Sequence, residues 1–273
     1  MPAASDPTHP LNLYRLAVQA PEAEVQLLLR MYNHHRGGDW PTRLKEDFAG
    51  TSALAANWVL QDEDYRALAV DNHGPTVRWA SGHAEAVLGE RMEDLHLLEA
   101  DVLEVTRPKV DVVCAFNFST FVYHDRKSLI RYLRAARKSL RPGGIIVLDA
   151  YGGPGAIHTG SQTRHVEPEA GEGPAAFDYV WEQRAFDAMT HRTDCRIHFD
   201  LPGQPRIESA FRYDWRLWTL PELAELLREA GFAATAVWCD RYDPEAGTSD
   251  GWYGPVEHLP AREDWLAYVV GLR

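Results

Sequence analysis

The sequence predicts an α/β fold, with a doubly wound, mostly parallel seven-stranded sheet, an N-terminal helical cap and an antiparallel β insert after the fifth strand. Three observations carry this reading. The runs Val110 to Phe116 (VDVVCAF) and Ile145 to Ala150 (IIVLDA) are apolar at nearly every position, short and rich in β-branched residues, as strands buried on both faces are. Such runs alternate with helical stripes, of which Leu129, Leu133, Ala136 and Leu140 form the clearest. Beyond residue 176 the period changes to two: Cys195, Ile197, Phe199 and Leu201 point one way and Arg196, His198 and Asp200 the other, as in antiparallel strands covered on one face.

The elements follow in order. Residues 1–10 hold three prolines among small polar residues and are expected to be a disordered start. Pro21 to Arg36 places Val25, Leu28, Leu29 and Tyr32 at helical spacing, and Gly37-Gly38 ends that helix. Leu44 to Phe48 is predicted as strand one, Ser52 to Leu60 as a helix and Ala67 to Val70 as strand two. Thr76 to Leu88 is a weaker helix and Leu95 to Leu98 is strand three. Val110 to Phe116 is strand four, Lys127 to Leu140 a helix stopped by Arg141-Pro142-Gly143-Gly144, and Ile145 to Ala150 strand five. Gly152 to Ala176 is rich in Gly, Pro and polar residues and is expected to be a long loop. Runs beginning at Phe177, Cys195 and Phe211 are antiparallel strands, with Pro202-Gly203-Gln204-Pro205 as a turn. Thr219-Leu220-Pro221-Glu222 is a capping box that opens a helix to Ala230, and Ala234 to Cys239 and Trp265 to Leu272 complete the sheet.

Composition bounds the function. A chain of 273 residues, 45% of them hydrophobic, can bury a large core. A formal net charge of −12 repels phosphate backbones, so no nucleic acid partner is expected. Cys114, Cys195 and Cys239 are far apart and form no CxxC pair, and His158, His165, His191 and His198 lack metal-ligand spacing; buried thiols and no metal site are expected. The start lacks a basic segment followed by an apolar one, and no apolar run approaches the ~18 residues of a bilayer span. A cytoplasmic protein without a membrane partner is therefore expected.

The most informative stretch is Arg43 to Ser52, read with Asp71 and Asp101. It predicts a strand ending near an acid, a glycine turn and a helix start, with further acids at the ends of the next two strands. Ligands of open parallel sheets lie beyond the carboxyl ends of the strands. There an acid after strand two suits ribose hydroxyls, one after strand three an exocyclic adenine amine, and one after strand one an ammonium group. S-adenosylmethionine (SAM) has all three groups and no phosphate.

In the order and spacing of these segments, the chain resembles the class I SAM-dependent methyltransferase superfamily. Leu44 to Ser52 matches its glycine motif, Ala67 to Asp71 its ribose motif, Leu98 to Val102 its adenine motif and Asp111 to Ser119 its fourth strand. Arg141 to Gly144 with strand five, and Trp218 to Phe232, add to the resemblance, which covers about residues 43–150 and 218–273. It implies a Rossmann-like fold and one methyltransferase domain over residues 1–273, divided into a cap (1–42), a cofactor-binding half (43–150), a loop and insert (151–218) and a C-terminal completion of the sheet (219–273). It further implies Glu46 near the methionine amino group, Asp71 on the ribose, Asp101 at adenine, and Phe48, Gly50, Asn72, Val102 and Asn117 around the cofactor. One departure stands out: Phe48 and Ser52 occupy positions where the family usually has glycine, leaving the backbone path of the turn open.

On the acceptor side, Asn117 is a candidate at the junction of methyl donor and acceptor, or else a turn residue. His124 is a candidate general base, or an exposed residue beside a helix start. Tyr14, Tyr123, Tyr151 and Arg212 are candidate substrate contacts, and Arg30 and Arg36 are candidates for the methionine carboxylate. The insert's aromatic stripe is read first as core, and otherwise as a homodimer contact or a cage for a cationic substrate. Methyl transfer from SAM to a small molecule, with nitrogen slightly preferred, is the expected activity. A non-catalytic SAM-binding module or partner subunit is the second reading. A nicotinamide-dependent oxidoreductase is the third, and it lacks the GxGxxG triplet that a pyrophosphate needs.

Overall fold

The computed structural model describes residues 6–169, 171–243 and 248–273. Two sheets organise the chain. The larger has the order β11-β10-β12-β5-β4-β1-β2-β3. Its parallel part consists of β1 (Arg43–Asp47), β2 (Arg66–Asp71), β3 (Leu95–Glu99), β4 (Val110–Ala115) and β5 (Leu140–Gly152). The antiparallel end consists of β12 (Trp265–Leu272), β10 (Ala234–Asp243) and β11 (Thr248–Val256). The order reverses between β1 and β4, which opens a crevice at their carboxyl ends. The β1 and β4 strands form because their side chains are covered from both sides: Val112 and Cys114 lie in one apolar layer, Val113 and Ala115 in the other.

Helices α2 (Pro21–His35) and α3 (Ala53–Val59) cover the first face, with Val25, Leu28, Met31 and Trp58 buried against it. α5 (Arg126–Ser139) and α6 (Leu220–Glu229) cover the second through Leu129, Leu133, Leu223 and Leu227. α4 (Gly74–Leu88) follows β2 and packs beside α3. The smaller sheet, β6 (Gly160–Val166), β7 (Phe177–Asp187), β8 (Arg192–Asp200) and β9 (Ile207–Arg216), is wholly antiparallel.

Four expectations are corrected. The start is structured from Asp6 onward: Pro10 opens α1 (Pro10–Val18), the His9 ring accepts the Leu11 N–H, and Leu13 and Ala17 bury against the smaller sheet. Proline is at ease in a first helical turn, whose N–H groups have no partner in the helix. Residues 1–5 of the expected disordered start lie outside the described residues. The 152–176 segment is not all loop, because it contains the edge strand β6, whose polar residues suit an edge. The main sheet has eight strands rather than seven, since β11, interrupted by glycine and proline, adds one at the edge. The Arg141-Pro142-Gly143-Gly144 stop does end α5 but lies within the long β5.

Candidate functional site

The crevice is built from the turn after β1. Phe48, Gly50 and Ser52 all adopt left-handed backbone, with φ of +57°, +52° and +57°. The glycine-motif path is therefore retained with two side chains in it, although left-handed backbone costs a non-glycine residue about 1–2 kcal/mol. Hydrogen bonds hold it: Ala49 N–H donates to the Val70 carbonyl (3.0 Å) and Gly50 N–H to Asp71 Oδ2 (2.9 Å). The Phe48 ring packs 5.4 Å from that of Tyr132. Asp71 Oδ1 accepts the His73 N–H (2.9 Å), so each carboxylate oxygen takes one backbone donor and retains acceptor capacity. A cavity of about 250 Å³ opens here, lined by Gln19, Phe48, Gly50, Thr51, Asp71 and His73 among others. The Thr51 hydroxyl donates to Gln19 Oε1 (2.5 Å), tying the turn to the segment between α1 and α2.

Buried acids lie under the crevice. Glu46 Oε2 accepts the Ala55 N–H (2.9 Å) and fastens β1 to the first turn of α3; burial pushes its carboxyl well above the usual range. Burial likewise pushes Glu24 to about 7 and Asp149 to about 8. On the other side of β1, Lys45 and Asp47 form a fully buried ion pair (2.6 Å), and the Tyr132 hydroxyl donates to Asp47 Oδ2 (3.1 Å).

A second cavity, also about 250 Å³, adjoins the first. Its floor is the turn after β4, where Asn117 and Phe118 have φ of +56° and +59°. The Asp149 carboxyl accepts both backbone N–H groups of this turn, that of Phe118 at 2.9 Å. The walls are aromatic: Tyr14 of α1, Tyr151 of β5, Tyr179 and Trp181 of β7, and Tyr213 and Trp215 of β9. Tyr14, Asn117, Tyr213 and Trp215 line both cavities and form the passage between them. Burial raises the Tyr14 hydroxyl pKa well above its ordinary value, and a hydrogen bond links it to Tyr213.

The crevice gathers Tyr14, Phe48, Gly50, Asp71, Asn117 and Tyr151 of the sequence-predicted residues. Others sit elsewhere. Asn72 is exposed and lines neither cavity, while Val102 is buried with Val70 and Val110. Asp101 accepts the Leu103 N–H (2.9 Å) and lines a separate groove beside Arg131 and Lys138 of α5. Tyr123 stacks on Tyr132 in the α5 layer. His124 Nε2 is 2.7 Å from the Asp214 carbonyl oxygen, in a surface hollow with Met189 and Glu222, outside both cavities. Arg212 is exposed and lines neither cavity, as period two dictates for a residue between Phe211 and Tyr213. The Arg30 guanidinium lies 3.9 Å from the centre of the Trp252 ring, and Arg36 packs beside Gly143. Among the described residues no cluster suited to a metal is found.

Gln19, Thr51, His73, Gln162, Tyr179, Trp181, Tyr213 and Trp215 line the cavities and were not singled out as site residues. The stripe holding Tyr213 and Trp215 did show in the sequence, and both residues line the aromatic cavity, while Ile197 and Phe199 of β8 pack with Leu13 and Ala17.

No family model matches the chain, and no curated protein matches it by sequence. Solved structures do. The CcbJ methyltransferase from Streptomyces caelestis superposes with a TM-score of 0.64 at 17% identity, over 94% of this chain and 98% of that one. The sugar N-methyltransferase KedS8 from a Streptoalloteichus species gives 0.63 at 21% identity, over 96% and 91%. CalS10, an amino pentose methyltransferase from Micromonospora echinaspora solved with SAM bound, gives 0.63 at 15% identity, over 94% and 94%. The fold is that of the SAM-dependent methyltransferases. Near-complete coverage of both chains extends this to the methyltransferase fold with its antiparallel insert, beyond the parallel half that the sequence motifs mark.

Proposed function

We propose that the protein transfers a methyl group from SAM to a small-molecule acceptor, with nitrogen as the preferred atom. The observation that carries this reading is the pair of cavities sharing Tyr14, Asn117, Tyr213 and Trp215, one lined by the turn after β1 and by Asp71, the other aromatic. The chemistry of the first fits the cofactor. Asp71 offers free acceptor capacity on both oxygens to a vicinal diol, and the left-handed turn at Gly50 brings backbone to the cavity wall. SAM, when bound, supplies a methyl group already activated on a sulfonium.

The protein's own part is alignment and exclusion of water. The turn that carries Asn117 is held by the Asp149 carboxyl, and the aromatic walls hold the acceptor body. His124 is outside the cavities, which removes the one sequence-derived candidate for a general base. An acceptor that presents a neutral lone pair is therefore favoured, and the likeness to the sugar N-methyltransferase KedS8 supports nitrogen. The chain's −12 charge supports a small molecule over nucleic acid. No described helix is long and apolar enough to cross a membrane.

The test is calorimetry with SAM and with its demethylated product, S-adenosylhomocysteine, followed by labelled-methyl transfer to a metabolite mixture. Asp71→Ala is expected to weaken binding of the demethylated product by about tenfold or more, as loss of charge-assisted bonds does. Unchanged affinity in that variant removes Asp71 from the site. Binding without turnover over a broad panel would turn the reading toward a non-catalytic module.

A further inference from the structure

The aromatic cavity has a chemical character of its own. Of the described residues lining it, none is Asp, Glu, Lys, Arg or His. Its polar groups are the Asn117 and Gln162 amides and the tyrosine hydroxyls. Arg164 of β6 has its guanidinium over the Tyr179 ring, 5.4 Å from the centroid, but donates to the Ala17 carbonyl and does not line the space. Trp181, Tyr213 and Trp215 form a ladder with centroids 4.3–6.0 Å apart and rings tilted by 30–32°, so several rings stand side by side along one wall. Phe118 meets Tyr151 edge-on at 4.6 Å and Trp215 of the ladder edge-on at 6.0 Å.

Two consequences follow. A negative charge carried into this cavity would lose its hydration, meet no opposite charge and face the negative faces of the rings, which is costly. A ring meets matching surfaces in offset geometry, the arrangement aromatic pairs prefer. One polar group is conspicuous. The Tyr151 hydroxyl is buried and has no hydrogen-bond partner, whereas Tyr14 and Tyr213 satisfy each other. That hydroxyl is out of reach of the cavity's contents, so the polar edge of a ligand is left to the Asn117 and Gln162 amides.

We infer that the methyl acceptor is a small ring compound carrying no negative charge, held against the Trp181–Tyr213–Trp215 wall. At the ~30 Å³ that a water molecule takes in the liquid, the cavity holds on the order of ten non-hydrogen atoms. Carboxylates and phosphorylated acceptors are excluded by the uncharged lining. An amine acceptor enters neutral, its basicity lowered by loss of water, so the lone pair that attacks is available without a side-chain base. In the transfer a nitrogen–carbon bond forms as the sulfur–carbon bond breaks, and the resulting ammonium releases its proton to water as the product leaves. This inference rests on the methyltransferase reading for the word acceptor, but the cavity's preference is a property of the protein alone.

Benzamide and benzoate test it, being nearly identical in size and shape and differing in charge. Titration of each into the full-length protein, read by tryptophan fluorescence and by ligand-observed magnetic resonance, is expected to show saturable benzamide binding and benzoate weaker by at least about tenfold. Trp181→Ala is expected to weaken benzamide about fivefold or more and leave S-adenosylhomocysteine affinity unchanged, because Trp181 lines only the aromatic cavity. Gln162→Lys is expected to narrow or reverse the preference, because it places a cation in the wall. Benzoate binding as well as benzamide to the wild type, or no saturable binding of either by a protein that binds S-adenosylhomocysteine, overturns the inference. Failure to bind S-adenosylhomocysteine while benzamide binds as described would sink the methyltransferase reading and leave the cavity's selectivity standing.

Discussion

At the scale of single residues, the site depends on backbone that most side chains avoid. Phe48, Gly50, Ser52, Asn117 and Phe118 are all left-handed, and all five lie at the carboxyl ends of β1 and β4. Strain gathered at one place persists because neighbours over-determine it. Asp71 holds the first turn and Asp149 the second, each through backbone N–H groups. Asp149→Leu, which removes both acceptors, is expected to destabilise the protein by about 1–3 kcal/mol in denaturant unfolding, the usual penalty for leaving buried donors unpaired. Asp149→Asn keeps one acceptor oxygen and is expected to lose less. Equal stability of wild type and Asp149→Leu would mean that the turn is held by packing alone. Asp71 was readable from its place after a strand. Asp149 was not, because it looks like one more residue in an apolar strand until β5 is set beside β4.

At the scale of elements, the clearest sequence signal became the clearest structural one. Thr219 caps α6 with both halves of the predicted box: the Thr219 side chain accepts the Glu222 N–H, and Glu222 Oε2 accepts the Thr219 N–H at 2.9 Å. Glu222 also pairs with Arg216 at 3.2 Å, joining the cap to β9. Thr219→Ala is expected to cost about 1 kcal/mol of stability, seen as a lower melting temperature with no change in S-adenosylhomocysteine affinity. A larger loss accompanied by weaker binding would show that the cap positions β9 and its Tyr213–Trp215 wall. The parallel strands, α2, α5 and α6 were legible because periodicity and caps are local. α1, β6 and β11 were not, since each is fixed by what it lies against: α1 by the smaller sheet, β6 by β7, and β11 by β10. The candidate site divides in the same way. The strand-end residues Gly50, Asp71 and Asn117 were found from spacing, whereas Gln162, Tyr179 and Trp181 converge from the insert only after the chain returns across the sheet. Asp101 shows the limit of spacing: it follows β3 as expected, yet its carboxylate turns to Leu103 and the neighbouring groove.

At the scale of the whole molecule, the charge balance predicts how stability varies with pH. Glu24 of α2, Glu46 of β1 and Asp149 of β5 are all held above the ordinary carboxylate range, first by burial, and Glu24 repels the other two. Glu22 raises Glu24 further, and Asp71 and Asp47 raise Glu46. One oxygen of Glu24 is buried without a partner, so little opposes the shift there beyond the Ala20 N–H. In the unfolded chain these groups release their protons near pH 4. In the folded protein Glu24 keeps its proton to about 7 and Asp149 to about 8. Between those limits the folded state binds more protons than the unfolded one, so its stability falls as pH rises. The exposed Asp125 and Asp187, held low by hydrogen bonds to Ser128 and Met189, act in the opposite sense, but only below the ordinary range. His35 and His83, held below the ordinary imidazole value by burial, oppose this below about pH 6.5, so the melting temperature is expected to decline from about pH 6.5 to 8.5. Glu24→Gln is expected to flatten the profile below about pH 7, and Asp149→Asn the part that extends to about 8. A melting temperature that is level or rises across that interval would show that water or local opening reaches these carboxyls, and that the buried acids beneath the crevice titrate like surface ones.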